Sequence, residues 1–259
     1  MTARLHAQEN GAGTQAVLLL HGFGGTHADW AGLVPSLADE ARVVAFDLPG
    51  HGRSLDYPGA GAAKLAAAAV LADMDARGIG SAHVAGHSMG GAVAVLMALA
   101  APQRVASLTL LAPGGFGEEI NAPLLRRYAA ATEAADIRAC LAEMSGPGHD
   151  VPQQAVDMRV AMRALPEQAQ KLVEIAAAMT RGDRQGRIPR EMLAGLSMPV
   201  SVAWGSHDRV LPVSQADDLP PAFRLHRVEG AGHMLIDEAP GLVAGLILAA
   251  MERTQGEGR

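Results

Sequence analysis

Three glycines bracket Ser88 in the stretch GHSMGG, residues 86–91. The spacing fits G-x-S-x-G, a pattern in which a strand turns sharply into a helix and holds the serine with its hydroxyl exposed. Glycine is needed on either side because a Cβ would crowd such a turn. A serine alcohol is a weak nucleophile until a base takes its proton, and the base needs a carboxylate to orient it. Of the ten histidines, His233 in VEGAGHMLIDEAP is the best placed, in a Gly-rich loop past the last strand-like run. Asp208 in VAWGSHDRVLP stands just past the run before it. Ser88, His233 and Asp208 together would perform acyl transfer. The serine attacks a carbonyl, and water activated by the imidazole then hydrolyses the acyl-enzyme.

Residues so far apart in sequence can meet only if regular elements bring them to one edge. Short apolar or β-branched runs recur at Ala16 (AVLLL), Arg42 (RVVAFD), Ala82 (AHVAG), Val105 (VASLTLLAP), Pro199 (PVSVAWG) and Phe223 (FRLHRVEG). Most are nearly continuous in apolar residues, as strands covered on both faces must be. Helical patterns lie between the early ones: HADWAGLVPSLADE, AAKLAAAAVLADMDARG and GGAVAVLMALAAPQ. Such alternation predicts an α/β fold with a mostly parallel, doubly wound sheet, whose sites form at the carboxyl edge. GHSMGG follows the AHVAG strand and opens a helix, the context its pattern requires. The alternation stops after Pro113 and resumes near Pro199. The helix-period segments between them, INAPLLRRYAAATEAADIRACLAEM, PQQAVDMRVAMRAL and PEQAQKLVEIAAAMTRG, predict an all-helical insertion. The expected organisation is a core of residues 1–117 and 191–259 with a helical cap over 118–190.

Bulk properties exclude several classes. In 259 residues, 49% hydrophobic, there is material for one large domain with a buried core. A formal net charge of -6 gives no basic field for nucleic acid, and the RGDRQGR cluster from Arg181 is too mixed to track a phosphate backbone. The first ten residues lack the apolar region of a signal sequence. AVAVLMALAA and GLVAGLILAA are too short to span a membrane. A cytoplasmic protein that binds neither nucleic acid nor membrane is expected. Cys140 is the single cysteine, which rules out an internal disulfide, and it is expected to be a small buried hydrophobe. The histidines lack metal-ligand spacing along the chain, so no metal set and no cofactor are expected.

The chain resembles the α/β-hydrolase superfamily over essentially its whole length. The order Ser88, Asp208, His233 is the order of that superfamily. HGFGG at His21 resembles its oxyanion loop, and FDLPGHGRS at Phe46 the loop after the next strand. The run GHSMGGAVAVLMALAAPQRVASLTLLAPGGFGEEIN is similar to the hydrolase-like domain of the acyltransferase component of acetoin dehydrogenase complexes. That component normally begins with a lipoyl domain, and this chain is expected to carry the hydrolase part without it. The resemblance implies an oxyanion hole from the backbone N–H groups of Phe23 and Met89. It also implies a substrate pocket walled by Phe23, Val210 and Met234.

Together these readings predict a serine hydrolase of a carboxylic ester or related small acyl compound. An alternative within catalysis is a carbon–carbon bond hydrolase of a diketone. There the insertion's Arg126, Arg127, Arg159 and Arg163 would bind an acidic substrate, although a solvated helix face accounts for arginines at these positions more simply. An alternative outside catalysis is a hydrolase fold kept as a binding module. Structural roles are expected for His21 and His51, a bracing role for Asp47 in its loop, and a helix-start position for Asp237. His87, beside Ser88, is expected to point away from the site. His207, beside Asp208, is expected to point away from the site.

Overall fold

The computed structural model describes residues 4–256. Among them a seven-stranded sheet runs in the order β1-β3-β2-β4-β5-β8-β9. Its strands are β1 (Ala7–Asn10), β2 (Ala16–Leu20), β3 (Arg42–Phe46), β4 (Ala82–His87), β5 (Val105–Leu111), β8 (Val200–Gly205) and β9 (Arg224–Val228). Every pairing is parallel except that of β1 with β3, where Ala7 faces Phe46 and Asn10 faces Val43. The central strands β2, β4 and β8 are buried at every residue, which is why they read as unbroken apolar runs. The edge strands β1 and β9 are partly exposed and mixed.

Helices cover both faces. α2 (Ala63–Ala76) packs on α3 (Met89–Ala100), while α1 (Val34–Ala38) packs on α10 (Pro240–Gly256), which lies along β5, β4 and β8. Where one helix was expected from HADWAGLVPSLADE, there is a 3-10 turn, His27–Trp30, and then the short α1. Pro35 lacks the N–H that a continuing helix would need and is accepted in the first turn of α1, near its start.

Between β5 and β8 lie α4 (Ala122–Ala130), α5 (Ala134–Met144), α6 (Gln153–Arg163), α7 (Gln168–Met179), a hairpin of β6 (Thr180–Arg181) and β7 (Arg184–Gln185), and α8 (Arg190–Ala194). The first helical pattern is thus two helices. It breaks where Ala131 turns extended, at ψ 124°. The third pattern ends at Met179 in a hairpin whose turn uses Gly182 at φ 66°. The short α9 (Leu235–Glu238) precedes α10 and includes Asp237, as expected. Cys140 is buried and free. No helix among the described residues is long and apolar enough to cross a membrane.

Candidate active site

Ser88 ends β4 and caps α3 with φ 52° and ψ −114°, a conformation that a non-glycine residue adopts only under constraint from its surroundings. The constraint comes from close packing on both sides. A Cβ on Gly86 would run into the Gly90 backbone, and one on Gly90 into the carbonyl of Leu20. The Ser88 hydroxyl donates to Nε2 of His233 at 2.9 Å, and Nδ1–H of His233 donates to Oδ2 of Asp208 at 2.7 Å. The Asp208 carboxylate is fixed in turn, because its Oδ1 accepts from the N–H groups of Val210 and Leu211, both at 2.8 Å. All three side chains are buried. The three candidates therefore form one hydrogen-bonded line at the carboxyl edge of β4, β8 and β9.

The loop carrying His233 is held from the helical segment. Its backbone N–H donates to the carbonyl of Met144, at the end of α5, at 2.7 Å. Gly146, Gly205 and Gly232 pack backbone against backbone here, where any Cβ would collide with a neighbouring main chain. Glu238 completes the clamp, accepting from the N–H groups of Gly146 (2.7 Å), Gly232 (2.8 Å) and Met234 (2.9 Å). Sequence reasoning missed Glu238, which reads as one more acid at a helix start. Its only local signal is its position five residues past His233.

The N–H groups of Phe23 and Met89 donate to no acceptor among the described residues, and both residues border the space beside Ser88. Those donors stand free where the oxyanion hole is expected. His21 and His51 serve their surroundings. His87, expected to point away, instead packs against His233 with ring centroids 4.9 Å apart, because the buried end of β4 leaves its ring no other space. Nε2 of His21 accepts from the Leu48 N–H at 2.9 Å, Nε2 of His51 from the Gly24 N–H at 3.2 Å, and His87 donates to the His233 carbonyl at 2.8 Å. Burial first, with a neighbouring imidazole adding to it, pushes His51 and His87 down to about 3, so both are neutral. Asp47 braces its loop, accepting from the N–H groups of His27 and Arg53. Burial works to raise its carboxyl, but the His27 and Arg53 hydrogen bonds outweigh it and hold Asp47 at about 2. His207 is exposed.

The fold has a counterpart in known proteins. The model of the α/β hydrolase fold matches residues 15–240. The chain belongs to the α/β-hydrolase family. This hydrolase is 38% identical over 243 residues to the dihydrolipoyllysine-residue acetyltransferase component of the acetoin cleaving system from Pseudomonas putida, covering 94% of this chain and 65% of that one. The chain thus spans just under two thirds of that relative. It is 31% identical to the pimeloyl-[acyl-carrier protein] methyl ester esterase of Methylococcus capsulatus, covering 89% of this chain and 91% of that one. Among solved structures it is similar to the meta-cleavage product hydrolase from Pseudomonas fluorescens IP01, with a TM-score of 0.84, 21% identity, and 96% and 94% of the two chains covered.

Two cavities meet at Ser88 in this hydrolase. The larger, about 250 Å³, is walled mainly by apolar side chains, among them Phe23, Leu96, Ile120, Ile188 and Val210. The smaller, about 20 Å³, is bordered by Phe23, Met234, Tyr128, Arg159, Asp29 and His233. Phe23, Val210 and Met234, the expected pocket residues, therefore fall in different places. Phe23 faces both cavities, Val210 the large one and Met234 the small one.

Arg159 and Arg163 require a correction. A solvated helix face was the simpler expectation for the insertion's four arginines, and Arg126 and Arg127 do lie exposed. Arg159 and Arg163, however, are only 4% and 5% exposed. Arg159 donates to the Tyr128 hydroxyl at 2.8 Å and pairs with Asp29 at 3.4 Å. Burial works against its charge, but Asp29 and Tyr128 outweigh it, so the guanidinium stays protonated. Arg163 lies over the Tyr128 ring, 4.5 Å from its centroid. Helix periodicity could not show this, because α4 and α6 put Tyr128 and the arginines together only in three dimensions.

The fold also brings together three donor residues that the spacing along the chain keeps apart. His6, His27 and Asp47 each offer a donor atom, all within 4.8 Å of one another. Sequence spacing hid the group because its members sit on three separate segments, joined by the pairing of β1 with β3.

Proposed function

We propose that this α/β-hydrolase is a serine hydrolase of a carboxylic ester or related small acyl compound. The observation that carries the reading is the continuous hydrogen-bonded line from Ser88 through His233 to Asp208. His233 Nε2 takes the Ser88 proton as Oγ attacks the acyl carbon, and Asp208 steadies the imidazolium that forms. The developing oxyanion is received by the Phe23 and Met89 N–H groups, where one donor is worth about 3 kcal/mol. His233 returns the proton to the leaving group and then activates the water that frees the acyl group. The large cavity falls below the roughly 300–1,000 Å³ that drug-sized ligands fill, which favours a short or medium acyl chain over a polymer. In this reading residues 118–190 act as a cap that screens the site from water.

A second reading is supported by Arg159, a protonated group buried beside His233. It suits a substrate with a carboxylate, such as an acidic diketone cleaved at a carbon–carbon bond. The test is labelling with a fluorophosphonate probe, followed by turnover of p-nitrophenyl esters, thioesters and diketones. Labelling that disappears in Ser88→Ala, with ester turnover, supports the first reading. Diketone cleavage without ester turnover supports the second. A wild-type chain that neither labels nor turns over any of the three leaves a binding module.

A further inference from the structure

The donors of His6, His27 and Asp47 meet outside both cavities, since none of the three borders either one. Their arrangement is fixed by the backbone. Asp47 N–H donates to the His6 carbonyl at 2.9 Å, and His6 N–H donates to Ser54 Oγ at 2.9 Å, so the start of β1 is tied to the loop after β3. His27 opens the 3-10 turn beyond the HGFGG loop, and its N–H and Nδ1 reach Asp47 Oδ1 at 2.8 and 2.7 Å. The rings of His6 and His27 stand edge to face with centroids 5.0 Å apart. Neither ring nitrogen of His6 has a hydrogen-bond partner among the described residues. The Asp47 carboxylate is 1% exposed, while the two rings are partly open to solvent.

We propose that His6, His27 and Asp47 form a site for a zinc-type divalent cation, with water completing its coordination. Two imidazoles and one carboxylate suit such an ion better than magnesium or calcium, which favour oxygen ligands throughout. On binding, the cation takes the place of the proton between His27 Nδ1 and Asp47 Oδ1, that proton passes through solvent to His27 Nε2 so that the imidazole stays neutral, and His6 supplies the third ligand. Asp47 Oδ2 remains on the Arg53 N–H at 2.9 Å, which keeps the carboxylate oriented. Zinc bonds of about 2.0–2.1 Å in a tetrahedron place donors about 3.3 Å apart. Closing the set from its present spread takes a turn of the partly exposed His6 ring and an opening of the 2.7 Å contact between His27 Nδ1 and Asp47 Oδ1. The bound ion cross-links β1, the turn after the HGFGG loop and the loop after β3, so it acts on stability and not on the chemistry at Ser88.

The experiment uses the full chain freed of metal with EDTA and titrated with zinc chloride, read by calorimetry and by melting curves. One zinc per chain is expected, with a melting temperature that rises with zinc concentration, as for any ligand of the folded state alone. Ester turnover should change by less than about twofold, because the site touches no reacting group. His6→Ala and His27→Gln should each weaken zinc binding by about tenfold or more and cancel the thermal shift. His226→Ala, on β9, should leave both intact. In the wild-type chain, zinc should also protect His6 and His27, but not His226, from carbethoxylation by diethyl pyrocarbonate, a readout that needs no variant to fold. Wild-type zinc affinity in both site variants, no stoichiometric binding to the wild-type chain, or no protection of His6 overturns the site.

Discussion

The two cavities that meet at Ser88 differ in how they can tell one substrate from another. The large one offers carbon surface, so on the proposed function it would read acyl length in small, graded steps of about 0.8 kcal/mol per buried CH₂. The small one has room for about one water molecule and holds a charged guanidinium, a carboxylate and a phenol. There, discrimination works by leaving buried charges paired or unpaired, a far steeper dependence. A substrate that puts its acyl chain on one side of Ser88 and a polar group on the other would be read twice, by unlike rules.

The largest effect should come from Ser88, where the two cavities meet. Ser88→Ala should lower turnover by on the order of 10⁴-fold or more for every substrate while leaving the melting curve in place. Equal retention of turnover for short and long esters would remove the basis of the comparison. Next comes the polar side. Arg159→Met leaves Asp29 buried without its partner and should cost about 3–5 kcal/mol in urea unfolding, most of it recovered in the double variant Arg159→Met/Asp29→Asn. The selectivity between acetate and octanoate esters should hardly move.

Acid should act on the polar side too. His87 borders the small cavity and is pushed down to about 3 by burial, whereas in the unfolded chain it titrates near its ordinary 6.5. The unfolded chain therefore binds the extra proton between those values. The stability His87 contributes is complete above about pH 6.5 and is lost as pH falls toward 3, amounting to about 2 kcal/mol by pH 5. His51, also down at about 3, adds a loss of the same sign. Urea midpoints at pH 7 and pH 5 measure the sum, and His87→Asn should reduce the difference. An equal difference in that variant would place the acid sensitivity elsewhere.

The apolar side should respond more gently. Ala92→Leu pushes added carbon into the large cavity and should shift kcat/KM from octanoate toward acetate by on the order of tenfold, with ester hydrolysis otherwise intact. The smallest change in turnover is expected for Phe23→Ala, which keeps the backbone donor and deletes the ring. A small ester should keep its kcat within about tenfold while longer acyl groups gain relative to it. A uniform loss for both esters with a large fall in melting temperature would make Phe23 a core residue instead.

Much of this was written in short-range patterns. AVLLL, AHVAG and PVSVAWG are buried on both faces and carry no competing signal, so their strands and the turns after them are legible. Ser88 and Asp208 follow because each stands just past such a run, while His233 follows the mixed run FRLHRVEG and is picked out by its Gly-rich loop. Legibility fails where partners come from separate elements. AQEN shows no strand pattern and becomes β1 only by pairing with β3, which is also what brings His6 to Asp47. Tyr128 and Arg159 look like ordinary helix residues until α4 and α6 are folded together. Glu238 is invisible because its partners are backbone N–H groups, which no sequence pattern distinguishes.

The main-chain contact of Gly146 with Gly230 and Gly232 has a mechanical meaning. The end of α5 is welded to the His233 loop by close backbone packing and by one glutamate that grips both sides. A hinge cannot lie at such a seam, because lifting α5 there would drag His233 away from Ser88. Any breathing that admits substrate must take place away from that seam; Gln185, Gly186 and Arg187, beside the hairpin, also border the large cavity. On the proposed function, the molecule is thus stiff where the proton moves. Amide exchange should be slow at His233 and faster at the 182–183 hairpin turn.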